Sequence, residues 1–364
     1  YSVALYTDNQ NLSSGLANNL TAGANGVGLY AQNGSNIKYT GTINVGDNTT
    51  AGTGIYIGTT GLNSSTVDFE GVMNLNGTGG IGAYIDNLSV FNFNNTSTMN
   101  FYGDGVALFG NSGAVINDNG GVINTNGFNV ERTRIANGTI NITADTNIAS
   151  NNILGHVVNG EMNVLPGITV TAVGDKIIGM YAENLKGAGT WLYAYEANNH
   201  GTLDFSNAAN STAMYLDNAT AENAGLIKIG TDSLGMYGVN NAELYNNSVI
   251  EIANKAVGMY GKSSKVENNN SISSTADEAI GMYGVSANVE NKGNISLSNT
   301  STVAMYGDNS NVTNSNVIDI TGEKSIGMYG ENSSNLVNNQ GIILGNSTNI
   351  STANTGIYSN NSTS

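Results

Sequence analysis

A five-residue phrase returns at a fixed interval through the second half of the sequence, and this repeat limits the possible folds more than any other feature. Its tyrosine recurs every 23 residues in five consecutive copies. The copies are Leu234–Gly238, Val257–Gly261, Ile280–Gly284, Val303–Gly307 and Ile326–Gly330. A unit of this length has too little apolar surface to fold by itself, so neighbouring units must stack to bury it. The sequence therefore predicts a solenoid.

Looser copies extend the repeat toward both ends of the sequence. With them, 15 anchor positions divide the chain into 14 intervals of 22 to 34 residues, and 12 of the 18 tyrosines are anchors. Two anchors are degenerate and are placed by dividing the gap from Phe109 to Tyr181 into three equal steps. The anchors are Tyr6, Tyr30, Tyr56, Tyr84, Phe109, Thr133, Val157, Tyr181, Tyr215, Tyr237, Tyr260, Tyr283, Tyr306, Tyr329 and Tyr358.

Each interval also contains two further segments typical of short β-strands. One ends in Asn, as in Asn288–Asn291, and the other alternates apolar and polar residues, as in Asn294–Leu297. The intervening turns are rich in Asn, Gly and Ser, and no stretch has the periodicity of an amphipathic helix. A leucine-rich repeat is excluded because its Leu-x-x-Leu-x-Leu frame is missing. A β-propeller is excluded because each blade needs about 40 residues, which is longer than the repeat. The sequence predicts an all-β parallel β-helix spanning residues 1–364 as a single solenoid, with about 14 coils of about 23–24 residues and three short strands per coil.

Period-two alternation assigns the side chains of the repeated phrase to two faces of the strand. We expect Ile280 and Met282 to face the core, and Gly281 and Tyr283 to face outward, so that the tyrosines stack in a file on the surface. The opposite orientation, with tyrosines in the lumen, stays open. Aligned asparagines predict a second file in which side-chain amides bond from coil to coil. Its members are Asn223, Asn246, Asn268, Asn291, Asn314 and Asn338.

The charge balance excludes several classes of partner. Eleven Lys and Arg against 27 Asp and Glu give a formal net charge of -16, which would repel a phosphate backbone, so no nucleic acid is expected. Anionic membranes are disfavoured for the same reason. The sequence has no run of about 18 apolar residues, so direct membrane insertion is not expected. The lack of cysteine is compatible with export and equally with a cytosolic location.

Parallel β-helices also include polysaccharide lyases and hydrolases, so an enzyme has to be considered. Such a site needs paired carboxylates, or a base with metal ligands, on one face. Asp118, Asp145 and Asp175 each stand alone in the sequence, and the two histidines, His156 and His200, are 44 residues apart. We therefore expect the chain not to be an enzyme, and to have no catalytic residue, no metal site and no cofactor.

The longest interval, from 181 to 215, predicts an irregular coil at 182–214 with an inserted loop or strand. Insertions in solenoids leave the stack as loops, where binding residues concentrate. Aromatic rings can stack on a sugar while amides and acids bond its hydroxyl groups. The alternative is an extra strand packed on the solenoid. The candidate ligand-binding residues of this interval are Trp191, Tyr193, Tyr195, Glu196 and His200.

Charges replace the repeated phrase in Val130–Arg134, which contains the chain's only arginines, Arg132 and Arg134. An arginine cannot enter an aliphatic lumen without a partner, because an unpaired buried charge costs several kcal/mol. The coil is therefore expected to be remodelled locally. The two arginines are predicted either to pair with Glu131 or Asp145, or to contact an anionic group such as sialic acid.

The Gly-Met-Tyr-Gly phrase, with its following Asn-x-Gly-x-Ile strands, resembles the passenger regions of fusobacterial type V autotransporter adhesins. The resemblance is closest over residues 210–340. It implies a right-handed β-helix, secreted and held at the bacterial cell surface through an outer-membrane barrel that this sequence does not contain. Binding to a host-cell glycan, a receptor protein or other bacteria, by a monomeric rod, is the implied function. The alternatives are a purely structural stalk and, from a third class, a polysaccharide lyase or hydrolase.

Overall fold

The computed structural model describes residues 2–58, 63–185, 196–347 and 349–363. Within these residues the chain consists of β-strands and turns, and its helix is limited to one 3₁₀ turn, Ile350–Thr352. The strands form a parallel β-solenoid of the right-handed type with about 14 turns, which confirms the predicted fold class. Contacts divide the chain into unit 1, residues 1–146 and 152–168, and unit 2, residues 147–151 and 169–364. The two units are described separately.

The first sheet, here called the tyrosine sheet, contains the anchor positions. In unit 1 it comprises Val3–Asp8, Val27–Gln32, Thr53–Gly58, Gly80–Ile85, Gly105–Asn111, Val130–Ala136 and Ile153–Val158. In unit 2 it comprises Ile178–Glu183, Thr212–Asp217, Leu234–Val239, Val257–Lys262, Ile280–Val285, Val303–Asp308, Ile326–Glu331 and Thr355–Asn360. Each strand pairs in parallel with the strand one coil away, so equivalent residues lie side by side.

The second sheet, here called the asparagine sheet, follows the tyrosine sheet in each coil. In unit 1 it comprises Asn11–Leu16, Asn36–Tyr39, Thr66–Phe69, Val90–Asn94, Val115–Asn119, Thr139–Ile142 and Glu161–Val164. In unit 2 it comprises Ala197–Asn199, Thr220–Asn223, Glu243–Asn246, Lys265–Asn268, Asn288–Asn291, Asn311–Asn314 and Asn335–Asn338.

The third side of the solenoid is made by two separate sheets. The sheet of unit 1 has five strands, Leu20–Ala22, Thr42–Thr50, Val72–Thr78, Thr98–Tyr102 and Val122–Asn124. The other sheet, here called the third sheet, has nine strands: Thr146–Ala149, Thr169–Asp175, Thr202–Ala209, Leu226–Ile229, Val249–Ile252, Ser271–Ser274, Asn294–Leu297, Ile318–Ile320 and Ile342–Leu344.

The lumen of unit 1 contains a file of stacked aromatic rings on the inner face of the asparagine sheet. Tyr39, Phe69 and Phe93 are fully buried, and their ring centroids are 6.2 and 6.5 Å apart. The hydroxyl of Tyr39 donates to the backbone oxygens of Asn18 and Thr42, and burial raises its pKa to about 12. Because such a ring contributes about 1.5–3 kcal/mol when it leaves water, this file is a main source of stability in unit 1.

The corresponding inner file of unit 2 is the asparagine stack that the sequence predicts. Each amide Nδ2 donates to the Oδ1 of the next coil at 2.7–2.8 Å, and the members from Asn199 to Asn314 are buried. Some also donate to backbone, as Asn223 does to the oxygen of Val249 at 3.3 Å. The stack contains Asn199 in addition to the predicted residues. Paired amides can be buried here because their hydrogen bonds replace those to water.

The tyrosines face outward, as predicted, but the alternation along the repeated phrase is broken. Gly281 and Met282 both face the lumen: a Cβ atom added at Gly281 would lie 2.6 Å from the backbone oxygen of Ala304 and 3.2 Å from Cγ2 of Ile295. Ile280 is only partly buried, so its predicted place in the core is wrong. Two successive inward residues are possible because the first is glycine or, as at Ala304, alanine, which leaves little side chain to collide with the next coil.

Candidate functional site

The outward face of the tyrosine sheet carries a continuous file of aromatic rings in each unit. Five rings in unit 1, from Tyr6 to Phe109, are 4.8–5.3 Å apart, and eight in unit 2, from Tyr181 to Tyr358, are 4.5–5.2 Å apart. This matches the spacing of paired strands. The rings lie against one another, so the file stabilises the stack without a ligand.

Carboxylates flank the aromatic file two residues after several of the rings. Asp8, Asp86, Glu183, Asp217, Asp308 and Glu331 occupy this position. Glu331 accepts hydrogen bonds from the hydroxyls of Tyr306 and Tyr329. Burial raises the pKa of Tyr306, and the bond to Glu331 raises it further. The face is therefore acidic along much of its length.

The aromatic file of unit 1 stops after Phe109, and Arg134 and His156 take its place. Phe109 is in register with Arg134, which is in register with His156. The predicted anchors Thr133 and Val157 are therefore wrong by one residue, and both are buried. Equal division of the gap fails because the two steps are 25 and 22 residues long, counted from Phe109 to Arg134 and from Arg134 to His156.

Glu131 joins the two side chains that replace the rings. Its Oε2 lies 3.9 Å from Nη1 of Arg134, and its Oε1 lies 3.4 Å from Nδ1 of His156. The Arg134 side chain is 45% exposed, whereas Glu131 and His156 are 17% and 11% exposed. We refer to Glu131, Arg134 and His156 as the Arg134 cluster. Its cation faces solvent while its other members are largely covered.

The position that carries an acid in other coils is apolar beside this cluster. Asn111 is in register with Ala136, which is in register with Val158. The acids that flank other rings are therefore replaced by a methyl and an isopropyl group at the coils of Arg134 and His156. Among the cluster and these flanking residues, Glu131 is the single carboxylate.

Arg132 points in the opposite direction, into the lumen of unit 1. Its Nε donates to Oδ2 of Asp118 at 2.6 Å, and its Nη2 donates to Oδ1 of Asp118 at 2.9 Å and to the oxygen of Gly121 at 2.8 Å. The guanidinium carbon lies 5.8 Å from the ring centroid of Phe93. Asp118 follows Phe93 in the inner file and is fully buried. This bidentate pair satisfies both buried charges.

The sequence predicted a carboxylate partner for Arg132, but the predicted partners, Glu131 and Asp145, were wrong for this arginine. Asp118, which the sequence presents as an isolated acid, is the partner, whereas Arg134 is the arginine that contacts Glu131. Arg132 and Asp118 are 14 positions apart, on different sheets and in consecutive coils. No local sequence signal joins them. A ligand contact of Arg132 stays a prediction, and its hydrogen bonds give it a structural role that needs no ligand.

The remaining candidate residues lie around the longest interval. Glu196 is buried: its Oε2 accepts from the backbone N–H of Thr220 at 2.8 Å, and its Oε1 accepts from Nδ2 of Asn184 at 3.3 Å. Burial raises the pKa of Glu196, and the hydrogen bonds to Thr220 and Asn184 only partly offset this rise. His200 is exposed after the strand Ala197–Asn199. Trp191, Tyr193 and Tyr195, within residues 186–195 of the predicted irregular coil 182–214, lie outside the described residues, so their ligand contacts stay predictions.

Across residues 2–58, 63–185, 196–347 and 349–363, no group of three or more His, Cys, Asp or Glu side chains lies close enough to hold a metal ion. In the same part of the chain, no helix has the length and apolar character needed to cross a bilayer.

Comparison with known proteins gives two similar solved structures, whereas no family model and no curated protein matches the chain. Both are A-modules of mannuronan C-5 epimerases from Azotobacter vinelandii. The AlgE6 module is 10% identical, with 92% of this chain and 90% of that chain covered, at a TM-score of 0.27. The AlgE4 module is 11% identical, with 90% and 88% covered, at a TM-score of 0.23.

These similar structures are enzymes, and this finding contradicts the prediction that the chain is not an enzyme. That prediction is not retained. At these TM-scores the likeness assigns neither an activity nor a site to the chain. The fold itself rests on the strand pairing described above.

Proposed function

We propose that this chain is a segment of an adhesin displayed at the bacterial cell surface, and that it binds carboxylate-bearing glycans of host cells or of other bacteria. The observation that carries the proposal is the Arg134 cluster, where a file of stacked rings gives way to an outward cation. Stacking of the solenoid does not require this exchange, because another ring at position 134 would continue the file. A residue that departs from the repeat without serving the stack is a candidate for recognition.

The chemistry of Arg134 favours a carboxylate as the bound group. A guanidinium presents paired N–H donors whose geometry matches the two oxygens of a carboxylate. Glu131 approaches one nitrogen of Arg134 at 3.9 Å, which is beyond hydrogen-bond distance, and 45% of the side chain is exposed. The guanidinium is therefore oriented by Glu131 and can still accept a ligand from solvent.

The overall negative charge does not oppose this binding, because charge effects on a solvated surface are local. At physiological ionic strength, charges farther away than about 8 Å are largely screened. Ala136 and Val158 remove the flanking acids from the two coils concerned. An anionic ligand therefore meets Arg134 with no acid at the flanking position of these two coils, and Glu131 is the carboxylate beside it.

The neighbourhood of Arg134 favours a sugar as the carrier of the carboxylate. Phe109 and Tyr84 occupy the two preceding coils, and their ring edges form an apolar strip of partly buried surface. Asn111 is outward and half-buried beside Phe109. Apolar ring surface next to amide and charged groups is typical of sites that hold a pyranose.

The test compares an acidic oligosaccharide with its uncharged ester. Binding of hexagalacturonate and of its methyl ester is measured by isothermal titration calorimetry for the whole chain and for the variants Arg134→Gln and Arg134→Lys. Loss of a charge-assisted bond of about 1.5–3 kcal/mol predicts an about 10- to 160-fold weaker affinity in Arg134→Gln. Arg134→Lys should retain part of the affinity, and the ester should bind poorly to every form.

The matched control is Lys262→Gln, which removes an exposed cation from the same sheet in unit 2. Its affinity should stay within twofold of the unchanged protein. Equal binding of the acid and the ester, or equal losses in Arg134→Gln and Lys262→Gln, would refute the site. The adhesin function is tested separately by adherence of the displayed chain to host cells. Failure of both tests would favour the structural stalk.

A further inference from the structure

A groove with a volume of about 430 Å³ lies on the third sheet of unit 2, which the alternating segments of the repeat form. Ile229, Ile252 and Ala253 form its apolar lining. On the inner face of the third sheet, Ser274 is in register with Ile252 and Leu297, so a serine occupies a position that is aliphatic in the two neighbouring strands. The Ser274 hydroxyl donates a hydrogen bond to the backbone oxygen of Ile252 at 2.7 Å.

Outward side chains of consecutive coils form the polar rim of this groove. Lys228, Glu251, Ser273 and Ser296 lie in register on neighbouring strands. Nζ of Lys228 lies 3.7 Å from Oε2 of Glu251, and the two side chains are 37% and 50% exposed. The hydroxyl groups of the serines can each donate and accept a hydrogen bond. The rim therefore offers a polar group at every coil, about 4.8 Å apart.

We infer that this groove binds an extended, neutral, 1,4-linked glycan lying along the direction in which the coils stack. The coil spacing is close to the length that one pyranose ring adds to such a chain, so each sugar can meet the same surface as the preceding one. The apolar face of a pyranose fits the lining at Ala253, which is more open than the buried Ile229 and Ile252, and its hydroxyl groups fit the serine and Lys228–Glu251 rim.

The charges of the same file favour a neutral ligand over an acidic one. Lys228 and Glu251 compensate each other, while Asp204 precedes Lys228 and Asp319 follows Ser296 in register. A polyanion along the file would meet an uncompensated carboxylate at each end. The groove lies wholly in unit 2 and shares no residue with the Arg134 cluster, so this inference does not depend on the proposed function.

The experiment measures binding of cello-oligosaccharides of two to six residues to the whole chain by isothermal titration calorimetry. Five strands, from Thr202–Ala209 to Asn294–Leu297, contribute to the groove. Affinity should therefore rise with length up to about five sugars and then level off. An affinity that does not change with length, or no binding of any member of the series, would overturn the inference.

Two variants block the groove, and one places the same ring elsewhere. Ser273→Tyr and, independently, Ser296→Tyr should each weaken cellohexaose binding at least tenfold, with circular dichroism confirming that the fold is intact. Thr313→Tyr adds a tyrosine at a half-buried outward position of the asparagine sheet and should change affinity less than twofold. Equal effects at positions 273, 296 and 313 would overturn the site. Stronger binding of hexagalacturonate than of cellohexaose, lost in Ser273→Tyr, would overturn its neutral specificity.

Discussion

The pair formed by Arg132 and Asp118 makes a strong prediction about the stability of unit 1. Asp118 is completely buried, Arg132 is 9% exposed, and the guanidinium makes three hydrogen bonds at 2.6–2.9 Å. In Asp118→Ile the arginine stays buried without its counter-charge. Removal of one partner of a buried pair typically costs about 3–5 kcal/mol. We expect a loss of this size for Asp118→Ile, and a similar loss for Arg132→Ala.

The double variant should recover most of that loss. Isoleucine is the residue that follows Asp118 in the inner file, at Ile142, and alanine is the residue that precedes Arg132 by one coil, at Ala107. Replacement of a buried pair by apolar residues is often neutral or stabilising, although the space of the guanidinium leaves a cavity that costs about 24 cal/mol per Å³. The double variant is therefore expected within about 2 kcal/mol of the unchanged protein.

The assay is native-state hydrogen exchange of Val115–Asn119 and Val130–Ala136, combined with urea unfolding. Exchange reports opening of these strands directly, which is needed because a solenoid can unfold in parts. The control is Lys38→Ala, which breaks the ion pair of Lys38 with Glu70 at 2.9 Å, where both side chains are partly exposed. Such surface pairs contribute about 0–1 kcal/mol. The reasoning is refuted if Asp118→Ile costs no more than Lys38→Ala, or if the double variant is as unstable as the two single ones.

Two further predictions concern unit 2. Asn268→Ala removes the amide that accepts from Asn246 at 2.7 Å and donates to Asn291 at 2.8 Å. Urea unfolding should show that the free energy of unfolding falls by about 2–3 kcal/mol, against about 0.5 kcal/mol or less for the control Asn288→Ala at an exposed position. Equal losses in the two variants would contradict the role of the stack. Because burial raises the pKa of Glu196, the folded chain holds more protons than the unfolded chain between the ordinary glutamate pKa and the raised one. Stability should therefore fall as pH rises through that window, and Glu196→Gln should flatten this part of the profile in unfolding measurements from pH 4 to 7; superimposable profiles would refute the assignment.

The sequence carried enough information for the solenoid and its two main files. A 23-residue repeat with one strand-like phrase per interval leaves few ways to bury apolar surface. The tyrosine file and the asparagine stack followed from alignment alone, because residues one coil apart must lie side by side. Asn199 was missed because it lies inside the irregular interval from 181 to 215, although its step of 24 residues to Asn223 is regular.

Local rules failed where one coil determines the conformation of the next. The inward pair of Gly281 and Met282 depends on the close approach of the Ala304 carbonyl, which strand alternation does not include. Arg134 and His156 were misplaced because coil lengths vary, and the register, not the residue count, selects the outward position. The Arg132–Asp118 pair needs the path of the chain from the asparagine sheet to the next strand of the tyrosine sheet, and the groove beside Ser274 needs five neighbouring strands.

The asparagine stack also gives unit 2 a direction. Every amide from Asn199 to Asn314 donates toward the C-terminal neighbour, so the side-chain dipoles point the same way. Amides in such a chain polarise one another, and each link strengthens those on either side. In unit 1, the outward asparagines Asn74, Asn100 and Asn124 donate toward the N-terminus instead. A substitution in the middle of the stack should thus weaken bonds several coils away, while the same substitution near an end should act only locally.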